Sequence, residues 1–180
     1  MYAGDYNDMF PLAAENPWGA SGSLKPWGYV MYHSNYLGTD IMYCPVAPTS
    51  EGTGIPRGLL GKMSTSDDWC YYTYGLNYMP NKSKRLILSQ TPNASKIVAL
   101  GDARKIATIQ VSMRLNNKAN AGTAQGVPYY CHSDAFNAAF LDGSCAAIKP
   151  GELTANHKET ASGFGNWDCE GIKEGATVTF

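Results

Sequence analysis

Apolar and aromatic residues along this chain come in short runs divided by glycine, proline and asparagine, a spacing that predicts strands joined by long loops with little helix. The clearest signal lies at residues 136–141, a mostly apolar run that ends at Asp142-Gly143, with residues 145–148 as its return. Asp-Gly between two such runs is a preferred sequence for a tight hairpin turn. Residues 84–88 and 97–100 read as two further strands, separated by the turn-prone Thr91-Pro92-Asn93. The dense aromatic run at 69–74 has strand propensity, and residues 177–180 offer a last short strand. Helical signals are brief: residues 1–8 read as the final turns of a helix broken by Pro11, 27–32 form an aromatic segment, and 35–37 before Gly38 can close a helical turn. Residues 12–26, 52–61 and the stretch from Asn116 up to Val127-Pro128 read as loops. With no repeat, low-complexity tract or linker, residues 1–180 are expected to form one domain of the α+β class, a helix followed by antiparallel strands.

Composition narrows the function classes. The chain of 180 residues carries a formal net charge of −1 with only 16% charged residues, which argues against a nucleic-acid binder, since that role needs a basic face toward phosphates. A hydrophobic share of 44% argues against disorder. Twelve tyrosines, four tryptophans and 19 glycines fit a loop-rich fold packed with aromatics.

A family resemblance rests on five elements. The segment His132-Ser133-Asp134-Ala135-Phe136-Asn137-Ala138-Ala139-Phe140-Leu141-Asp142-Gly143 is a histidine, nine residues, then Asp-Gly. It resembles the His-x9-Asp-Gly domain at the C-terminal end of many prepilin-like and pseudopilin-like bacterial proteins, with Asn137 and Phe140 where that family usually has Asn and Phe. The family's usual Asn-Gly-Gly after the histidine is replaced here by Ser133, Asp134 and Ala135. Tyr2-Ala3-Gly4-Asp5-Tyr6-Asn7-Asp8-Met9-Phe10-Pro11 resembles the stretch that follows the family's N-terminal helix. Tyr43-Cys44-Pro45 resembles its aromatic-Cys-Pro element, and Tyr74-Gly75-Leu76-Asn77-Tyr78 its Tyr-Gly-x-Asn segment. Pro92-Asn93-Ala94-Ser95-Lys96-Ile97-Val98-Ala99-Leu100-Gly101-Asp102 resembles its strand ending in Asp. The five stand in the family's order over residues 2–148.

The resemblance implies a pilin-like fold, a long helix packed across an antiparallel sheet, with the His-x9-Asp-Gly hairpin inside residues 128–150. It implies a non-enzymatic structural subunit, pseudopilin-like, of a type II secretion or type IV pilus-like assembly. Its partners would be copies of itself or other pseudopilin subunits, and no nucleic acid. It also implies a periplasmic domain held at the bacterial inner membrane by an apolar N-terminal helix. A spanning helix needs about 20 predominantly apolar residues, and no window here approaches that. The expectation is a domain separated from its anchor, with Met1 added before Tyr2. A sheet face left uncovered in this way would favour weak self-association.

Candidate chemistry follows the same residues. His132, Asp142 and Asp102 carry metal-ligand types, and two adjacent strands each ending in aspartate could place them together. Asp142 before glycine is also ordinary turn chemistry, so the motif residues His132, Asn137, Phe140, Asp142 and Gly143 are expected to be structural. No cofactor is expected. Calcium is the ion to consider, because the resemblance includes major pseudopilins with a calcium-stabilised loop, and Asp67, Asp68 and Asp134 supply oxygens; no EF-hand spacing is present. Ser144 with His132 lacks the Gly-x-Ser-x-Gly setting of a hydrolase, and Gly52-x-Gly54 lacks the strand and helix of a phosphate loop. Cys131 and His132, read as strand neighbours, would point to opposite faces. His33 and His157 add little for acid–base work, and no catalytic residue is assigned.

Cys44, Cys70, Cys131, Cys145 and Cys169 form no Cys-x-x-Cys motif. By position, Cys131 could pair with Cys145 across the hairpin and Cys44 with Cys70 across a loop; buried thiols are the other reading, and both stay open. A second function class is an extracytoplasmic carbohydrate or surface-ligand binding domain. Trp18, Trp27, Trp69 and Trp167 lie in loop-like contexts where a ring could stack on a sugar, although tryptophan is more often buried.

Overall fold

The computed structural model describes residues 2–5, 7–8, 14–15, 25–38, 44, 46, 74–77, 87–105, 114–115 and 126–153. The readings at 52–61, 69–73 and 177–180, and those on Trp18, Asp67, Asp68, Trp69, Cys70, His157, Trp167 and Cys169, lie outside these residues.

In chain order the elements are α1 (Tyr2–Asp5), β1 (Ala14–Glu15), β2 (Lys25–Pro26), α2 (Trp27–His33), β3 (Tyr74–Asn77), β4 (Val98–Lys105), β5 (Arg114–Leu115), β6 (Gly126–Pro128), β7 (Phe136–Phe140) and β8 (Cys145–Ile148). The chain is therefore α+β. β1 and β2 form a small ribbon against which α2 packs. α2 buries Trp27 and Val30, three residues apart on one helical face. It ends where Asn35 turns left-handed (φ 60°), with Tyr36 N–H donating to the Met31 carbonyl and Asn35 N–H to that of Tyr32. That bonding closes a Schellman cap, for which asparagine is a common substitute for glycine. The Tyr36 hydroxyl donates to the Asp5 carboxylate and so ties α1 to the end of α2.

The main sheet runs β5-β3-β4-β7-β8, with β6 added beside β4. Every pair is antiparallel except β3 with β5, which is parallel, so the sheet is mixed where a wholly antiparallel one was expected. β7 alternates strictly: Phe136, Ala138 and Phe140 are buried, while Asn137 is exposed. The buried set meets Val98, Leu115, Ile148 and Leu153 in the core, and the Tyr130 ring stands edge-on to Phe136 at 5.6 Å. Each such fully buried large side chain contributes about 1.5–3 kcal/mol. At the β8 edge, Cys145, Ala146 and Ala147 are exposed.

The expected hairpin is present. Its loop is the three-residue kind: Phe140 N–H donates to the Ser144 carbonyl, Gly143 N–H to that of Phe140, and Gly143 alone turns left-handed, at φ 87°. The strand expected at 84–88 is not formed at its described end. Ile87 makes only a bridge, and Leu88–Gln90 and Ala94–Lys96 are 3-10 turns flanking a left-handed Asn93. Local bonding of the turn-forming Thr91-Pro92-Asn93 stretch takes precedence there over apolar pattern.

β4 governs the geometry of everything that follows. One of its edges pairs with β3, through Tyr74↔Asp102, Gly75↔Gly101 and Leu76↔Leu100. Its other edge changes partner along its length, from β7 at Val98 to Gly101 and to β6 at Ala103 to Lys105. A bulge between Val98 and Leu100 adds one residue, so Gly101 and Ala103 share the core side with Val98, and Asp102 faces the other way. The Asn77 side-chain amide donates to the Val98 carbonyl at 2.7 Å beside this bulge.

Candidate functional site

Asp102 sits at the fork where β4 leaves β7 for β6. Strands on both sides leave it 1% exposed. The chain between β6 and β7 crosses this fork and folds back over it. His132 and Ala135 exchange both backbone hydrogen bonds across Ser133 and Asp134, which stand at φ 51° and 65°. Two left-handed central residues make a type I′ turn, the reversal favoured between paired strands.

The turn delivers His132 onto Asp102, with Nε2 3.3 Å from Oδ2. The same Nε2 lies 3.2 Å from the sulfur of Cys44, 88 residues earlier in sequence. Cys131 and Tyr74 both stand close enough to Cys44 for interaction with it to raise their pKa values. Tyr74 pairs directly with Asp102, which puts both side chains on one face of the sheet. From below, the Asn137 backbone N–H donates to Asp102 Oδ2 at 2.9 Å, while Asp102 Oδ1 is buried with no hydrogen-bond partner. One donor atom from each of Cys44, Asp102, Cys131 and His132 lies within 4.8 Å of all the others.

Burial sets the electrostatics. It pushes the Asp102 carboxyl up to about 6, against the opposing pull of the Asn137 N–H. Tyr74 rises to about 12, chiefly by burial. Cys131 is driven far above the ordinary thiol range, first by its hydrogen bond to Cys44 and then by burial. A thiol held protonated is not a nucleophile. The arrangement also differs from a catalytic triad, in which nucleophile and carboxylate occupy opposite ring nitrogens. Here sulfur and carboxylate converge on one nitrogen. The group could hold a metal ion.

Of the expected ligand trio, Asp102 and His132 meet and Asp142 stays away. β4 and β7 are antiparallel, so Asp102 faces the start of β7 while Asp142 lies past its end, where Leu141 N–H donates to the Ile97 carbonyl. Asp142 is exposed and accepts from Ser144 N–H at 2.9 Å and from the Ser144 hydroxyl at 2.6 Å, which hold its carboxyl below the ordinary range. Ser144 belongs to that turn and not to His132. Phe140 is core, Asn137 presents its backbone to Asp102, and Gly143 supplies the positive φ.

The expectation that Cys131 and His132 diverge is corrected: they precede a turn, with Cys131 N–H bonded to the Tyr129 carbonyl, so strand alternation does not apply. Of the two readings left open for the cysteines, the thiol one is found at the three described positions. Cys44, Cys131 and Cys145 are all thiols, and Cys145 faces solvent on the edge strand. Two thiols suit calcium poorly, since it prefers oxygen ligands, and Asp134 is exposed outside the cluster. The His33 ring lies tilted against Tyr29 at 4.2 Å within α2, and Trp27 is 3% exposed, which leaves that ring no face for a sugar.

No family model matches this chain, and no curated protein or solved structure does so either. Among the described residues, no helix is long and apolar enough to cross a membrane.

Proposed function

We propose that this chain is the extracytoplasmic domain of a pilin-like, pseudopilin-type structural subunit with a non-enzymatic role, assembling with copies of itself or related subunits. One observation carries the reading. Four of the five resemblance elements each send one side chain to the same place: Cys44 from aromatic-Cys-Pro, Tyr74 from Tyr-Gly-x-Asn, Asp102 from the strand ending in Asp, and His132 from His-x9-Asp-Gly. Short motifs that match by accident have no reason to converge. A second support is local. Ser133 and Asp134 stand where the family usually has Asn-Gly, and both adopt the left-handed conformation that Asn and Gly favour.

In this reading the four motifs are a clasp that fixes the β3-β4-β7 sheet, and the pilin-like fold is completed by a helix across it. Cell fractionation tests the proposal. Antibody against this domain is expected to find the native protein in the inner-membrane and sheared-filament fractions. A bismaleimide applied to intact cells is expected to crosslink exposed Cys145 to a second subunit. A protein found only as a cytosolic monomer, with no crosslinked species, refutes the reading.

A further inference from the structure

We propose that Cys44, Cys131, His132 and Asp102 bind one zinc-class divalent ion in a closed four-coordinate site, which fastens the Cys44 segment and the His132 turn to β4. The inference goes beyond the structural role above and does not depend on it.

Spacing is the first support. A tetrahedral zinc ion takes sulfur at about 2.3 Å and nitrogen or oxygen at about 2.0–2.2 Å, so its ligand atoms lie roughly 3.3–3.8 Å apart. The edge from His132 Nε2 to Asp102 Oδ2, at 3.3 Å, is at that separation, and the edge from Cys44 Sγ to His132 Nε2, at 3.2 Å, is slightly shorter than a bound ion would set it. All four donors fall within 4.8 Å of one another, so small rotations of side chains close the remaining edges.

Direction is the second. His132 Nε2 faces a sulfur and a carboxylate together. A single imidazole proton must be shared between the two, whereas a cation placed between the donors serves all of them. Asp102 Oδ1 adds an independent sign: a carboxylate oxygen without a partner, on a side chain 1% exposed, is an expensive feature unless something positive completes it.

Donor chemistry selects the ion. Two sulfurs, one imidazole and one carboxylate match zinc, whereas magnesium and calcium take oxygen cages. Four protein ligands leave no open position, which marks a structural site. An outer partner is in place too: the Asn137 N–H orients Asp102. On binding, both sulfurs enter as thiolates and their two protons pass to solvent.

The experiment uses the untagged full chain, purified under a phosphine reductant without chelator. Elemental analysis is expected to find close to one equivalent of zinc. Exchange for cobalt is expected to give the d–d bands of a tetrahedral site together with thiolate-to-cobalt charge transfer. Cys131→Ser should weaken metal binding more than about 100-fold, beyond what loss of an outer partner does, while Cys145→Ser retains full occupancy. Cobalt titration of the unaltered protein needs no variant, so a misfolded mutant cannot obscure the answer. Folded protein with reactive thiols that takes up neither zinc nor cobalt overturns the proposal. So does a Cys44–Cys131 disulfide mapped in metal-free protein that reduction does not convert to a metal-binding form.

Discussion

Gly101 is a position where the sheet leaves little room, and replacing it by alanine tests the packing of β7 on β4. A Cβ there would meet Phe136 Cε2 at 2.8 Å and the Asn137 backbone oxygen at 3.0 Å. Ordinary carbon contacts are about 3.5–4.0 Å, so the overlap with the ring is roughly 0.7 Å or more. Phe136 is 0% exposed, and the second obstacle is backbone. Overpacking of this kind costs about 1–3 kcal/mol, and the lower entropy of alanine in the unfolded chain returns about 0.4–1 kcal/mol. The net expectation is a loss of about 1–2 kcal/mol, or roughly 2–8 °C in Tm for a chain of this size. Urea denaturation followed by circular dichroism measures it. Adding Phe136→Leu to Gly101→Ala should recover part of the loss, giving a coupling of at least about 0.5 kcal/mol in a double-mutant cycle. Strict additivity, or a Gly101→Ala protein as stable as the parent, would show that the ring does not rest on the β4 backbone.

Other perturbations probe separate contacts. Ser133→Asn with Asp134→Gly places the preferred type I′ pair in a turn already at positive φ, and is expected to raise stability by about 1 kcal/mol, read as a Tm increase of roughly 2–4 °C by calorimetry. Asn77→Ala removes the amide that satisfies the Val98 carbonyl, and urea midpoints should report a loss of about 1–3 kcal/mol. Asp142→Asn tests the hairpin turn through pH. Because Ser144 holds the folded carboxyl below its unfolded value, the stabilisation is present above the unfolded pKa and disappears as pH falls through the folded one. The stability gap between parent and Asp142→Asn should therefore be full near pH 6 and close below about pH 4.

What the sequence disclosed was local. Residues 136–148 announce their hairpin through alternation and Asp-Gly, signals that a dozen residues contain by themselves. β4 was legible only to Leu100, because its continuation holds Asp102, Arg104 and Lys105, charged residues that no strand rule favours. Tertiary context supports them there: β6 pairs with this half of the strand, and the Arg104 guanidinium lies 5.1 Å from the centre of the Tyr129 ring. The site divides in the same way. Asp102 and His132 were singled out from residue type, but whether Asp142 joins them was not legible, since strand direction decides which end of β7 faces Asp102 and periodicity carries no direction. Cys44 could not be paired with His132 from spacing, because 88 residues separate them. The adjacency Cys131-His132 was visible, and strand alternation was the wrong rule for it; left-handed Ser133 and Asp134 make the segment a turn.

The placement of Cys131 separates two layers of this site. Cys44, Asp102 and His132 belong to the resemblance elements, and their contacts alone make a part-buried lock in which Nε2 bridges a sulfur and a carboxylate. Cys131 lies outside those motifs, yet it supplies the donor that turns three ligands into four. Three donors clasp the fold; the fourth closes a coordination sphere. Cys131→Ser is therefore the informative substitution, for it removes one donor while leaving both Nε2 contacts intact. A variant that loses metal but keeps its folded spectrum assigns the clasp to the shared elements and the metal to this chain's own addition. If unfolding accompanies the loss of metal, the ion itself holds the His132 turn on β4, and the hydrogen-bonded lock is too weak to do so alone.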